Sequence, residues 1–176
     1  MKKIIAFAGS NSRNSINKKL AEYAVNQLND VNVQVLDLND YELPIYSIDL
    51  EMESGIPENA HKFLNEIALA DGIVLSLAEH NGAYTSVFKN LIDWMSRINN
   101  KLWNNVPMLL MATSPGGRGG KGVLGIAQAS FPHWGGNIVA DFSLPSFGQN
   151  FSEEGLKDSE LNNRLNAAIN DLRKSI

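Results

Sequence analysis

The sequence contains no cysteine among its 176 residues. This absence excludes disulfide bonds, catalytic thiols and metal centres with cysteine ligands. The three histidines, His61, His80 and His133, are too far apart in sequence to form a recognisable metal-binding motif. We therefore predict no metal site.

The chain also has no excess of positive charge and no long hydrophobic run. Its formal net charge is -4, which argues against nucleic acid or an anionic membrane as a partner. No segment approaches the length of a transmembrane helix, and the apolar run at residues 4–8 is too short for a signal peptide. We expect a cytoplasmic protein with one domain over residues 1–176, a length that allows a sizeable core.

What the sequence does have is a regular alternation of two patterns. Short apolar runs predict five strands, at residues 3–8, 31–36, 72–77, 107–112 and 137–140. Helical patterns follow them at residues 17–29, 57–70, 85–99, 121–134 and 158–175. Strands that are apolar throughout are typical of a parallel sheet that is covered on both faces. The alternation predicts a doubly wound α/β domain with helices on both faces of five parallel strands.

The helix predicted at residues 85–99 carries two further hypotheses. Its apolar stripe predicts core packing, while Lys89, Asp93 and Arg97 recur every four residues and predict ion pairs along the helix. Trp94 lies off the apolar stripe. We therefore take Trp94, together with Trp103, as candidates for a subunit interface, with ordinary core or loop packing as the alternative.

A polar loop joins the first predicted strand to the first predicted helix. It runs from Gly9 to Asn17 and consists mainly of residues with hydroxyl and amide side chains. Free backbone N–H groups and the positive end of the helix dipole would face such a loop, as in sites that bind phosphate. The alternative is that Ser15 or Asn17 only caps the helix. The loop alone does not decide between these interpretations.

Two more loops should leave the same edge of the sheet, where ligands bind in open parallel sheets. The loop at residues 78–86 is polar and contains a glycine, so its backbone can approach a flat ring, and His80 either stacks on the ring or is simply solvated. The loop at residues 113–120 has four glycines, which permit close backbone approach or a flexible turn. This third loop lacks the Lys-Ser/Thr of a P-loop, which argues against hydrolysis of nucleoside triphosphates, and the first loop lacks the Gly-x-Gly-x-x-Gly of dinucleotide-binding folds.

The residues of these three loops resemble those of a known protein family. The sequence resembles the NADPH-dependent FMN reductase family, which includes flavin, quinone, chromate and azo-dye reductases. The shared blocks are Gly9-Ser10 with Ser15-x-Asn17, Glu79-x-Asn81 followed by Lys89-Asn90-x-x-Asp93-Trp94-x-Ser96-Arg97, and Ser114-x-Gly116-Gly117-x-Gly119-Gly120. The resemblance covers almost the whole chain. It implies a flavodoxin-like fold with strand order 2-1-3-4-5, noncovalently bound FMN, and a homodimer or homotetramer.

By position, the resemblance also implies which residues bind FMN. Ser10, Ser15 and Asn17 would hold the phosphate, and Ser12, Arg13 and Ile16 of the same loop are further candidates for binding FMN. The isoalloxazine ring would be lined by Glu79, His80, Asn81 and Gly82, with Ser114, Gly116 and Gly117 at its other edge. This chain departs from the family at Ser12, where an arginine is usual, at His80, where a tyrosine is usual, and at Thr85-Ser86-Val87, which replaces a small residue, proline and glycine. No residue is assigned an acid–base role.

The resemblance implies an oxidoreductase in which FMN accepts hydride from NADPH or NADH and passes electrons to a quinone-like or other small acceptor. One alternative is a flavodoxin-like electron carrier or redox sensor without NAD(P)H activity of its own. A further alternative is a scaffold that binds another nucleotide or a phosphosugar. Arg118 and Lys121 are candidates for contacting the 2′-phosphate of NADPH.

Overall fold

A computed structural model describes every residue from Met1 to Ile176. The strands are β1 Lys2–Gly9, β2 Val31–Val35, β3 Gly72–Leu77, β4 Glu79–His80, β5 Ala83–Tyr84, β6 Pro107–Thr113, β7 Asn137–Leu144, β8 Phe151–Ser152 and β9 Gly155–Leu156. The α-helices are α1 Ile16–Val25, α2 Ile48–Ser54, α3 Glu58–Ala68, α4 Ser86–Ile98, α5 Lys121–Ser130, α6 Phe147–Asn150 and α7 Ser159–Ser175. Two short 3-10 helices lie at Leu38–Tyr41 and Phe131–Trp134.

The five long strands form one parallel sheet in the order β2-β1-β3-β6-β7. Because β6 and β7 are the fourth and fifth of these strands along the chain, the flavodoxin-like order 2-1-3-4-5 is confirmed. The register pairs Gly9 with Leu77 and Leu77 with Ala112, so β1, β3 and β6 end at the same level. Two small antiparallel hairpins, β4–β5 and β8–β9, lie outside this sheet.

Side chains alternate between the two faces of the sheet, as the pleat of a strand requires. In β1, Ile4 and Ala6 pack in the core that α1 and α7 cover, whereas Ile5 and Phe7 pack in the core under α3, α4 and α5. The prediction of helices on both faces is therefore confirmed. Strands buried on both faces explain why these runs lack polar alternation.

Several predicted boundaries differ from the observed ones. The helix predicted over residues 121–134 ends at Ser130 and continues as a 3-10 helix, because Pro132 has no backbone N–H to donate to an α-helical carbonyl. The last sheet strand extends to Leu144 instead of residue 140. The connection from β2 to α3, for which no element was predicted, contains a 3-10 helix and α2.

The two tryptophans proposed for a subunit interface are buried within the chain itself, so that prediction is wrong. Trp94 and Trp103 have no exposed surface. The segment before α2 covers Trp94, whose Nε1 donates to the carbonyl oxygen of Pro44 at 2.7 Å and whose ring meets Tyr46 edge-on. Sequence periodicity could not show this, because the covering segment comes from a distant part of the chain.

The predicted ion pairs along α4 are present in part. The Lys89 ammonium contacts the Asp93 carboxylate at 2.6 Å. Arg97 instead pairs with Glu51 on α2, at 2.9 Å. The polar face of α4 therefore has one ion pair within the helix and a second ion pair that connects it to α2.

Replacing Trp94 by phenylalanine should destabilise the fold. The W94F variant removes one of the two donors to the Pro44 carbonyl, leaving only Asn90 Nδ2 at 2.9 Å, and opens a small cavity, so we expect a loss of about 1–3 kcal/mol in the free energy of unfolding. Urea unfolding measures this loss. The matched control is L69A, at a side chain that is 60% exposed, for which we expect a change within about 0.5 kcal/mol. Equal losses in the two variants would contradict the burial of Trp94.

Candidate functional site

The loops that follow β1, β3 and β6 meet at the carboxyl edge of the sheet. They enclose an open cavity of about 250 Å³. Its lining residues are Ser10, Ser12, Asn14, Ser15, Ile16, Asn17, Ala78, Glu79, His80, Thr113, Ser114 and Pro115. Eight residues of the predicted FMN site are therefore neighbours across one cavity, whereas Arg13, Asn81, Gly82, Gly116 and Gly117 lie outside its lining.

The loop after β1 both caps a helix and leaves donors free. The Ser15 hydroxyl oxygen accepts from the Lys18 amide at 3.2 Å, as an N-cap does. The Ser10 hydroxyl accepts from the Ser12 amide at 3.1 Å. The amides of Ile16 and Asn17, in the first turn of α1, donate to no protein group. These N–H groups and the helix dipole make the cavity attractive to an anion.

The side chain of Asn17 forms hydrogen bonds within the protein. It is buried, and its Oδ1 accepts from the Ser76 hydroxyl at 2.7 Å and from the Thr113 amide at 3.0 Å. Its Nδ2 donates to the Thr113 carbonyl at 3.2 Å. This side chain ties the start of α1 to the ends of β3 and β6. The backbone amide of Asn17, in contrast, donates to no protein group.

The second loop is a β-hairpin, which the loop interpretation missed. Asn81 and Gly82 form its turn with φ of +52° and +77°. Positive φ at both central residues is typical of a type I′ turn, for which Asn-Gly is a preferred sequence. The hairpin could thus have been predicted from the Asn-Gly pair in the sequence. Of the hairpin's residues, Glu79 and His80 reach the cavity, and the turn itself is exposed.

The glycine-rich third loop is held in place by its carbonyl groups. The carbonyl oxygens of Ser114 and Gly116 accept from the amides of Phe147 and Ser146, at 3.1 and 2.9 Å. The Gly119 carbonyl accepts from the Ser143 hydroxyl at 2.9 Å. The amides of Gly116 and Gly117, in contrast, donate to no protein group. The loop is therefore a fixed structure with exposed donors, not a flexible turn.

Gly119 shows why this loop needs glycine. Its φ is +60°, and a Cβ at this position would lie 2.6 Å from the Ser143 hydroxyl oxygen and 2.8 Å from the Pro145 nitrogen. Any side chain would push the loop away from β7, where Ser143 and the following segment hold it.

Of two basic side chains near the first loop, one forms an ion pair and the other does not. Lys18 pairs with Asp37 at 2.6 Å. The hydrogen bond between them raises the pKa of Lys18 and lowers that of Asp37, so the pair stays charged across the neutral range. Arg13 is exposed and forms no ion pair. Arg13 is thus the cation in this loop that is available to a ligand.

Sequence reasoning missed some residues at this edge. Asn14, Ala78, Thr113 and Pro115 line the cavity beside the predicted residues, and each adjoins one of them in sequence. Thr85 lies deeper, where its hydroxyl donates to the Gly9 carbonyl at 2.8 Å and joins the start of α4 to the end of β1. No cluster of three or more acidic or histidine side chains is arranged to hold a metal ion. None of the helices combines the length and apolar character needed to cross a membrane.

Comparison with known sequences and structures gives a consistent result. Residues 2–149 match the family described as NADPH-dependent FMN reductase. A 2-hydroxy-1,4-benzoquinone reductase from a Burkholderia species is 37% identical over 120 residues, which cover 66% of this chain and 63% of that protein. A quinone reductase of Escherichia coli K12 is 33% identical over 79 residues, 45% of this chain and 42% of that one. The matches thus span less than two thirds of either relative.

A solved structure extends the similarity to the whole chain. A flavoenzyme NAD(P)H:(acceptor) oxidoreductase from Paracoccus denitrificans superposes with a TM-score of 0.74 at 23% identity, and the alignment covers 99% of both chains. At this level of identity the similarity shows a common fold.

Removing the Asn17 side chain should destabilise the protein far more than removing its exposed neighbour. In N17A, the Ser76 hydroxyl and the Thr113 backbone lose their buried partners, so we expect a loss of about 1–3 kcal/mol in the free energy of unfolding. In N14A, which alters an exposed side chain of the same cavity, we expect a change within about 0.5 kcal/mol. Urea unfolding of both variants checks this. Similar stability of N17A and the parent protein would contradict the structural role of Asn17.

Proposed function

This chain belongs to the NADPH-dependent FMN reductase family, and on that premise we propose that it is an FMN-dependent NAD(P)H oxidoreductase. The proposed electron acceptor is a quinone-like or other small molecule, because two of its relatives are quinone reductases. The bound FMN would supply the redox chemistry, by taking hydride from NAD(P)H and passing electrons to the acceptor. The protein would supply binding, orientation and electrostatic tuning.

The observation that carries this proposal is the pair of unpaired amides at the start of α1. Ile16 and Asn17 line the cavity, and their N–H groups have no protein acceptor. Four hydroxyl and amide side chains, of Ser10, Ser12, Asn14 and Ser15, surround the same space. A phosphate monoester with two negative charges fits this set of donors and the helix dipole. Arg13, which is exposed in the same loop, would add a positive charge.

The other two loops suit a flat ring that carries hydrogen-bond acceptors. Gly116 and Gly117 offer unpaired amides and no side chains that would keep a ring at a distance. The His80 imidazole lies across the cavity, where the family usually has a tyrosine. Donors directed at the ring favour the electron-rich reduced form of a flavin. Arg118 and Lys121 are exposed beside this loop and would attract the 2′-phosphate of NADPH.

The cavity covers only part of such a ligand, and this supports a homodimer or homotetramer. Its volume of about 250 Å³ is below the range of roughly 300–1,000 Å³ that is typical of ligand pockets. A second subunit would close the open side. The surface we propose for this contact is the apolar patch of Ile45, Ile48 and Met52, which are 86%, 52% and 81% exposed. The adjacent Pro44 lines a second cavity together with Asn11 of the first loop, which supports a position of the patch near the proposed site.

The test of function begins with the absorbance of the purified protein with and without added FMN. Anaerobic stopped-flow mixing with NADPH or NADH then follows loss of the flavin absorbance, and a quinone is added to restore it. A reductase loses and regains the absorbance. Bound FMN that is not bleached within minutes would favour the electron carrier, and absence of FMN binding at micromolar concentration would refute the proposal. Since the reaction consumes NAD(P)H, the cytoplasm is the compartment we propose.

A negative charge in the first loop should weaken FMN binding through its phosphate. In S12D, a carboxylate repels the phosphate, so we expect the Kd for FMN to rise at least about tenfold. The Kd for riboflavin, which lacks the phosphate, should change little. S159D, with the same charge at an exposed position on α7, is the control for net charge. An equal effect of S12D on both flavins would contradict the proposed phosphate position.

The proposed assembly predicts that charge in the apolar patch separates the subunits. Light scattering at micromolar concentration should show a dimer or tetramer for the parent protein and a monomer for I48K/M52K, because two buried ammonium groups would lack partners. A Lys substitution at Leu69, which is exposed on another surface, should leave the assembly intact. A monomeric parent protein would refute the proposed oligomer.

A further inference from the structure

The β4–β5 hairpin is too short to be stable by itself. Each strand has two residues, and isolated two-stranded hairpins are marginal in water even when longer. The hairpin is outside the main sheet and pairs with no other strand. Other contacts must therefore hold its exposed turn next to the cavity. The cross-strand pair Glu79 and Tyr84 provides them, and both side chains bind α5.

Glu79 binds the first turn of α5. Its Oε2 accepts from the Val123 amide at 2.8 Å. This helix begins after Gly120, which has no side chain and cannot cap the helix itself. The Glu79 carboxylate, 44 residues away in sequence, supplies the missing acceptor and a favourable charge at the positive end of the helix.

The approach of Glu79 depends on Gly122. A Cβ at position 122 would lie 2.7 Å from Glu79 Oε2. In the same helix, a Cβ at Gly125 would meet nothing within 4 Å. Helix α5 therefore contains two glycines, of which only Gly122 makes room for the carboxylate.

Tyr84 binds the opposite end of α5. Its hydroxyl lies 2.9 Å from the hydroxyl oxygen of Ser130, the last residue of the helix. Its ring packs against Phe88 and Phe131. Burial raises the pKa of Tyr84, so the phenol remains protonated at neutral pH and keeps this hydrogen bond. The hairpin is thus attached to α5 at both ends of the helix.

We propose that Glu79 and Tyr84 are positioning residues that fix the hairpin turn relative to the glycine-rich loop. The glycine-rich loop leads directly into α5, so a hairpin attached to α5 moves together with that loop. The two walls proposed to contact the flavin ring then form one rigid unit. The inference rests on the proposed function and gives Glu79 a task other than contact with the ring.

The experiment compares E79A, G122A, the double variant E79A/G122A and the control G125A. The Kd for FMN is measured by quenching of flavin fluorescence, and hydrogen exchange is measured at residues 79–84 without FMN. Urea unfolding establishes that each variant is folded. We expect E79A and G122A each to raise the Kd about tenfold and to speed exchange in the hairpin. G125A should change neither quantity, although both glycine substitutions improve helix propensity.

Two further comparisons make the test specific. Because G122A acts through Glu79, the double variant should bind FMN no more weakly than E79A. E79Q keeps a hydrogen-bond acceptor and should bind FMN within about threefold of the parent protein. Unchanged binding in E79A, or losses that multiply in the double variant, would overturn the proposal.

The inference can fail separately from the proposed function. If the parent protein binds no FMN, the exchange data without FMN still test the attachment of the hairpin. Faster exchange at residues 79–84 in E79A and G122A than in G125A supports the attachment. Equal exchange in these three variants overturns it.

Discussion

The arrangement of the three loops depends on the buried amide of Asn17. One side chain from the first turn of α1 bonds to the Ser76 hydroxyl and to both backbone groups of Thr113. It therefore joins the helix that follows β1 to the ends of β3 and β6, the two strands whose loops form the other walls. Hydrogen bonds between buried groups are costly to leave unmade. This junction fixes the level at which all three loops begin.

A common pattern extends from that junction into the loops. Carbonyl oxygens and side chains form hydrogen bonds within the protein. In the glycine-rich loop, for example, two carbonyl oxygens accept hydrogen bonds from the Ser146 and Phe147 amides. Backbone N–H groups are left over, at Ile16 and Asn17 and again at Gly116 and Gly117. A site that offers donors suits an anion and an electron-rich ring, although the chain as a whole carries a net charge of -4. The attraction for phosphate that we propose is thus local, from oriented amides and one helix, rather than from overall charge.

The fold could be predicted from the sequence because strands buried on both faces leave continuous apolar runs, and resemblance supplied their order. The cavity could be predicted because parallel strands place their following loops at one edge. Individual side chains were harder to predict. Asn17 and Glu79 have partners 96 and 44 residues away in sequence, and Trp94 is covered by a segment about 50 residues earlier. Local patterns contain no information about such distant partners. The Asn81-Gly82 turn, in contrast, was a local signal that the loop interpretation overlooked.

The central claim is that the three loops form one FMN site, and nuclear magnetic resonance of the ¹⁵N-labelled protein tests it most directly. During titration with FMN, we predict that the amide signals of Ile16, Asn17, Gly116 and Gly117 shift together and saturate at one equivalent per chain. Titration with riboflavin should move the glycine signals while leaving those of Ile16 and Asn17 nearly unchanged. The account would be contradicted if FMN left these four amides unmoved and shifted instead Leu43 and Val87, which line the separate cavity beside Asn11.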